Sequence, residues 1–284
     1  MDIEWALVFF TLFVGLGVGV FVSAVVLTEW WGKAEQVRLP GAIAALIALA
    51  VGGISSVLHL GHPERIFGAL GHPTSGIFME STLMGLFGLD IILYLLATRR
   101  NAPARTRRRI ATIGTVPGVM LAFAIGDTYV LSSRPAWDTL VLPVLYVASA
   151  AVMGCFGLAV LMARTNESDE TAQASVRRMT WIALTIQAVL VIAYLVHLAV
   201  APYADASRSA TRVLAGNLAP LFWLGIVGIG LLIPAALTTH LRTKIAAALS
   251  PLAAAKLGLL CVLVAGVAFR ILMFSLGSSI RHFF

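Results

Sequence analysis

Polar residues interrupt this chain only briefly, and between the interruptions lie eight apolar stretches: about 5–30, 39–60, 77–98, 108–133, 138–163, 177–200, 218–239 and 250–276. Each is long enough to cross hydrocarbon as a helix of roughly 20 residues. In lipid the backbone must satisfy its own hydrogen bonds, so such runs are read as helices. Local punctuation agrees with this division. Pro40 opens the second run, Arg134-Pro135 separates the fourth from the fifth, and Ser250-Pro251 places an N-cap and a first-turn proline before the eighth. Gly15, Gly17 and Gly19 in the first run predict close approach of neighbouring helices. The expected fold is an all-α integral membrane protein, a single polytopic domain over 1–284 built as a bundle of eight transmembrane helices.

Composition reinforces the pattern. The protein is 60% hydrophobic and 12% charged, with a mean hydropathy of +0.95, whereas a soluble domain carries roughly 25% charged residues. The net charge of +7 comes from short loops and does not point to nucleic acid. Loops after the odd-numbered runs hold 13 Lys and Arg residues and the opposite loops hold 5, while Lys256 and Arg270 lie inside the last run. Basic residues favour the cytoplasmic side, so both termini are expected outside the cytoplasm, in a multi-pass protein of the cell membrane. Asp2 and Glu4 precede the first apolar residue where a cleavable signal would carry basic ones, and the first run is expected to be retained.

Candidate chemistry gathers at one end of this topology. His59 closes the second run and Glu80 begins the third, separated by the loop Gly61 to Gly76. The fourth run carries Asp127 outward, the sixth His197 and the eighth Arg270. Ionisable side chains are costly at membrane depth and are functional candidates by default. Desolvation favours the neutral forms of a carboxyl and an imidazole, which suits such a pair to proton exchange near neutral pH. The bland alternative is that His59 ends its helix, Glu80 starts the next, and Asp127 forms a structural ion pair with Arg134 or Arg270. His197 reads as a second site residue, a satisfied packing histidine, or an axial haem ligand with His59. His62 and His72 lack the spacing of a tetrahedral metal site, and no metal is expected. Cys155 and Cys261 lie alone in apolar runs, which indicates neither a disulfide nor an iron–sulfur cluster. Pro63 opens a candidate interfacial helix carrying Ile66, Phe67 and Leu70.

The segment LHLGHPERIFGAL, the Glu80 beyond it, and RPAWDTLVLPVLY from Arg134 to Tyr146 resemble the membrane anchor subunit of the dimethyl sulfoxide reductase family, related more distantly to the polysulfide reductase membrane subunit. The resemblance implies a haem-free subunit that binds and oxidises menaquinol in anaerobic respiration. It would pass electrons to an iron–sulfur subunit that feeds a molybdopterin catalytic subunit. It places the quinol-site histidine and glutamate at His59 and Glu80 and the loop arginine at Arg65; by their depth in the topology, Asp127, His197 and Arg270 are further quinol-binding candidates. Electrons must leave through another subunit, so a partner is expected over residues 61–76, with Phe67 and Leu70 as apolar anchors and Arg65 as the charged contact. His62 departs from the small residue often found in that pattern. The competing readings are a haem b-containing anchor and an ion-coupled transporter. The latter would show inverted repeats or interrupted spans, which are not found.

Overall fold

The computed structural model describes residues 3–59, 75–200, 204–240 and 249–277. The protein forms helices α1 (Trp5–Val25), α2 (Arg38–His59), α3 (Gly76–Arg99), α4 (Ala104–Asp127), α5 (Val141–Arg164), α6 (Glu170–Val200), α7 (Ala204–Leu214), α8 (Ile233–His240) and α9 (Pro251–Leu276). Two stretches are wound as π-helix: Val26–Trp30, continuing α1, and Leu221–Leu232, leading into α8. Eight segments are long and apolar enough to cross a membrane, and no strand occurs among the described residues. The expected runs therefore appear as helices, with two shifts at their ends. The sixth helix begins at Glu170, before the apolar run, because polar first turns extend beyond the hydrocarbon-length core. The fourth ends at Asp127, earlier than its hydropathy, and residues 128–140 form turns instead. The short helix α7, between two spans and with Arg208 exposed, has no counterpart in the hydropathy pattern.

Helix α1 is the axis of the bundle. In its most apolar window 78% of residues are buried, against 22% for α3, so α1 sits inside and α3 faces lipid. Lipid tails are as apolar as leucine, so burial inside a membrane protein is driven by packing rather than by escape from water. Small residues make that packing possible. A Cβ on Gly19 would sit 1.8 Å from the Ala150 carbonyl oxygen of α5, and one on Gly17 would sit 2.9 Å from the Ala45 carbonyl oxygen of α2. The glycines at spacing two thus serve two partners, one on each side of α1. Helix caps follow from sequence as well: the Ser75 and Ser250 hydroxyls accept hydrogen bonds from the backbone N–H groups of Phe78 and Ala253.

The bundle has two chemically distinct ends. At one, here the Glu29 end, the last turn of the first span is π-helical and holds Glu29 beneath the starts of α2 and α4 and the end of α3. Arg38 Nε lies 2.6 Å from Glu29 Oε1, Arg107 Nε lies 3.9 Å from it, and the Tyr94 hydroxyl donates to it at 2.7 Å. One buried carboxylate therefore ties four helices together. Trp30 and Trp31 are exposed at this level, consistent with an aromatic belt. Both ends of the described polypeptide lie at the other, Glu80 end, where Arg270 of α9 meets Thr11 of α1.

Candidate functional site

Glu80 occupies the second turn of α3, half-buried, and its carboxylate faces the residue just past α4. The Thr128 hydroxyl lies 2.6 Å from Glu80 Oε1 and 3.0 Å from the Ala124 carbonyl oxygen. A hydroxyl has one proton, and the shorter contact, to the carboxylate, takes it in preference to the helix carbonyl. Tight packing fixes this pairing: a Cβ on Gly76 would touch the Thr128 side chain at 3.1 Å. The carboxylate is thus held on Oε1 by a neutral donor.

Behind Thr128 the backbone turns inward and builds an aromatic cluster. The Tyr129 ring stacks on Tyr146 of α5 at 6.0 Å and meets Trp137 and Phe274 edge-on at 5.6 and 5.8 Å. The Trp137 indole N–H donates to the Met273 carbonyl at 2.9 Å, and Arg134 lies 4.4 Å over the Trp137 ring. Burial pushes the Tyr129 phenol above its ordinary range, with the neighbouring Tyr146 and Glu80 adding to the effect. It stays neutral, a hydrogen-bonding group rather than a proton acceptor.

Arg270 closes the cluster from α9. It is 1% exposed, and its guanidinium donates to the Thr11 hydroxyl and carbonyl and to the Gly266 carbonyl. Its carbon lies 5.0 Å from the Tyr146 ring centroid. Among the described residues Asp127 is not one of its hydrogen-bond or ion-pair partners. A cation held by neutral dipoles and an aromatic face keeps its charge available to whatever approaches the cluster.

The remaining sequence candidates are placed as follows. Asp127 is the exposed last residue of α4. His197, near the end of α6, has Nε2 3.0 Å from the Pro135 carbonyl oxygen and stacks on Tyr194. A carbonyl only accepts, so this nitrogen carries the proton. Tyr194 in turn donates to the Ala136 carbonyl, so both residues anchor the 128–140 turns against α6. His59 is the final residue of α2, and its side chain lies outside the described residues. Arg65, Phe67, Leu70, His62, His72 and the candidate interfacial helix lie outside them entirely. Among the described residues, no three His, Cys, Asp or Glu side chains converge as metal ligands.

The structure adds residues that sequence pattern did not single out. Thr128 contacts Glu80 and Trp137 contacts Tyr129; Trp137 lies in the RPAWDTLVLPVLY segment, but neither residue is itself a candidate by sequence pattern. Asp90 is buried midway along α3, with Oδ2 lacking a hydrogen-bond partner among the described residues. It is accommodated because Gly114 of α4 has no side chain; a Cβ there would sit 1.7 Å from that oxygen.

One curated relative is a subunit of the anaerobic dimethyl sulfoxide reductase of Haemophilus influenzae, 26% identical over 139 residues. That alignment covers 48% of the present protein and spans about half, 50%, of the relative's length. The family model described as polysulphide reductase, NrfD, matches residues 2–275. With eight apolar helices matched almost end to end, the chain is a multi-pass membrane protein and belongs to the polysulphide reductase NrfD family.

Proposed function

We propose that this protein is the membrane anchor and quinol-oxidising subunit of a molybdopterin oxidoreductase complex, passing electrons from menaquinol to an iron–sulfur subunit in anaerobic respiration. The observation that carries the reading is the half-buried Glu80 carboxylate, held by Thr128 at the end of the bundle where α2 terminates in His59. Oxidising one quinol to quinone releases two protons and two electrons. His59 accepts the proton of one hydroxyl and Glu80 that of the other, each passing it to the adjoining water. The two electrons leave for a cluster held by the partner subunit.

The other residues act around that exchange. Arg270 lies behind the aromatic cluster, and its charge favours the anionic character that develops as the first proton departs. Tyr129 interacts electrostatically with both Glu80 and Arg270, and Trp137 packs edge-on against it. Asp127, exposed beside Thr128, is placed to relay protons outward, and His197 holds the 128–140 turns in register. With its Nε2 proton directed at Pro135, His197 supports a haem-free subunit rather than axial haem ligation through that nitrogen. The loop arginine Arg65 is assigned to the quinol and, with Phe67 and Leu70, to the iron–sulfur partner, whose molybdopterin-bearing neighbour completes the complex. The charge bias of the loops puts this end outside the cytoplasm, together with both termini.

The test is a purified complex mixed with a reduced menaquinol analogue. Reduction of the partner's clusters at the rate of quinol loss is expected, with no haem absorbance band from this subunit. Quinol that remains reduced, or a haem spectrum that changes with turnover, would overturn the reading.

A further inference from the structure

Helices α2 and α3 separate to leave a groove of about 550 Å³ that opens sideways toward lipid. Its walls include Leu49, Ile54 and Val57 of α2 and Ser81, Met84 and Gly85 of α3. Two glycines keep it open. A Cβ on Gly85 would meet nothing within 4 Å, and one on Gly53 would meet only the flexible end of Met84 at 3.6 Å. The groove closes lower down, where Leu49 packs 3.4 Å from the position of a Cβ on Gly88. From Ser81 to Gly88 it runs about 10 Å along α3, at 1.5 Å per residue.

Its polarity is one-directional. Ser81 adjoins Glu80 at the upper end, and everything below is apolar. A fitting occupant has a polar head at the level of Glu80 and a hydrocarbon tail pointing toward the bilayer centre. We infer that this groove seats the isoprenoid tail of the quinol whose head group reaches Glu80; this rests on the reading of Glu80 given above. A phospholipid has the same polarity, and the experiment separates the two.

Moving a tail from lipid into the groove gains no hydrophobic free energy, since both surroundings are apolar. The groove contributes dispersion contacts and a fixed depth for the ring. Its effect therefore falls on KM and on selection for tail length, and is modest.

The complex in native membranes is assayed with two quinols sharing one head group, one bearing an isoprenoid tail and one tailless. Gly85→Leu places a side chain in the groove from a position where the Cβ itself meets nothing within 4 Å. It is expected to raise KM for the tailed quinol by up to about tenfold, the scale set by roughly ten lost atom-pair dispersion contacts, and to leave the tailless quinol nearly unchanged. Equal losses for both quinols, or no loss for the tailed one, would overturn the assignment. A quinone carrying a photoreactive group on its tail tests the unsubstituted protein independently. Labelling should fall on residues 46–57 and 81–85 and be displaced by tailed quinone but not by excess phospholipid. Labelling elsewhere, or displacement by phospholipid alone, defeats the groove while leaving Glu80 in place. Failure of the unsubstituted complex to oxidise either quinol defeats the Glu80 reading, and this inference with it.

Discussion

Thr128 donates its hydroxyl to Glu80 across the junction of α3 and α4, at 2.6 Å, and this contact connects the Glu80 carboxylate to the aromatic turn that follows. Removing the hydroxyl while keeping the shape isolates its contribution. Thr128→Val is expected to slow quinol oxidation by several-fold, the scale of one neutral hydrogen bond worth about 1 kcal/mol, while the complex still assembles. Steady-state rates beside immunoblots of membrane-bound subunit check this. An unchanged rate would make the contact a packing feature.

The Glu29 end predicts stability rather than turnover. Glu29→Ala leaves Arg38 and Arg107 facing each other without their shared carboxylate, and breaking a buried ion pair costs about 3–5 kcal/mol. The variant should unfold at markedly lower temperature in detergent and accumulate poorly. The double change Glu29→Leu with Arg38→Met, which removes both charges of the closest pair, should recover part of the loss. A single variant as stable as the parent would show that the tie between four helices carries no weight.

The α1–α5 crossing gives a sharper steric prediction. Gly19→Leu must displace the Ala150 backbone, because even a Cβ is too close. Overpacking of this kind costs typically about 1–3 kcal/mol or more, here at the axis of the bundle. Protease resistance of the membrane-inserted protein should fall for Gly19→Leu and less for Gly19→Ala.

Much of the architecture was legible because bilayer thickness dictates run length, and eight runs of that length admit few arrangements. Gly17 and Gly19 were legible as contact points for the same reason: small residues in a long apolar helix are there to be approached. Grouping Glu80, Asp127, His197 and Arg270 at one end followed from topology alone. Their actual partners did not. Arg270 meets Thr11 across 259 positions and Tyr94 meets Glu29 across 65, separations at which no local period operates. The end of α4 was also hidden, because Tyr129, Val130 and Leu131 continue its hydropathy. Burial in an aromatic turn satisfies the same apolar preference as another turn of helix.

Orientation is open to direct test. Reporters fused after Arg109 and Arg178 should read cytoplasmic, and those fused after Gly71 and Arg212 external. A cytoplasmic reading at Gly71 would move the Glu80 end, and the docking face proposed for an iron–sulfur partner, to the other leaflet.

Partner docking is read on residues 61–76. Phe67→Asp should release the iron–sulfur subunit from membranes, because apolar anchors at the centre of an interface carry a large share of its binding energy. Crosslinks from 61–76 to that subunit agree with docking over this loop; crosslinks only from 99–109 would place it at the opposite end.

The measurement closest to the central claim compares quinol-driven with dye-driven turnover in Glu80→Gln and His59→Ala. Glu80→Gln keeps a side chain that can still accept from Thr128 but removes the proton acceptor, and general-base losses run to about 10²–10⁴-fold. Both variants should lose quinol oxidation on that scale while artificial dyes still drive the catalytic subunit at the parental rate, with the complex intact in the membrane. Undiminished quinol oxidation in either variant would contradict the proton-accepting role assigned to that residue, and in both would remove the quinol site from this end of the bundle.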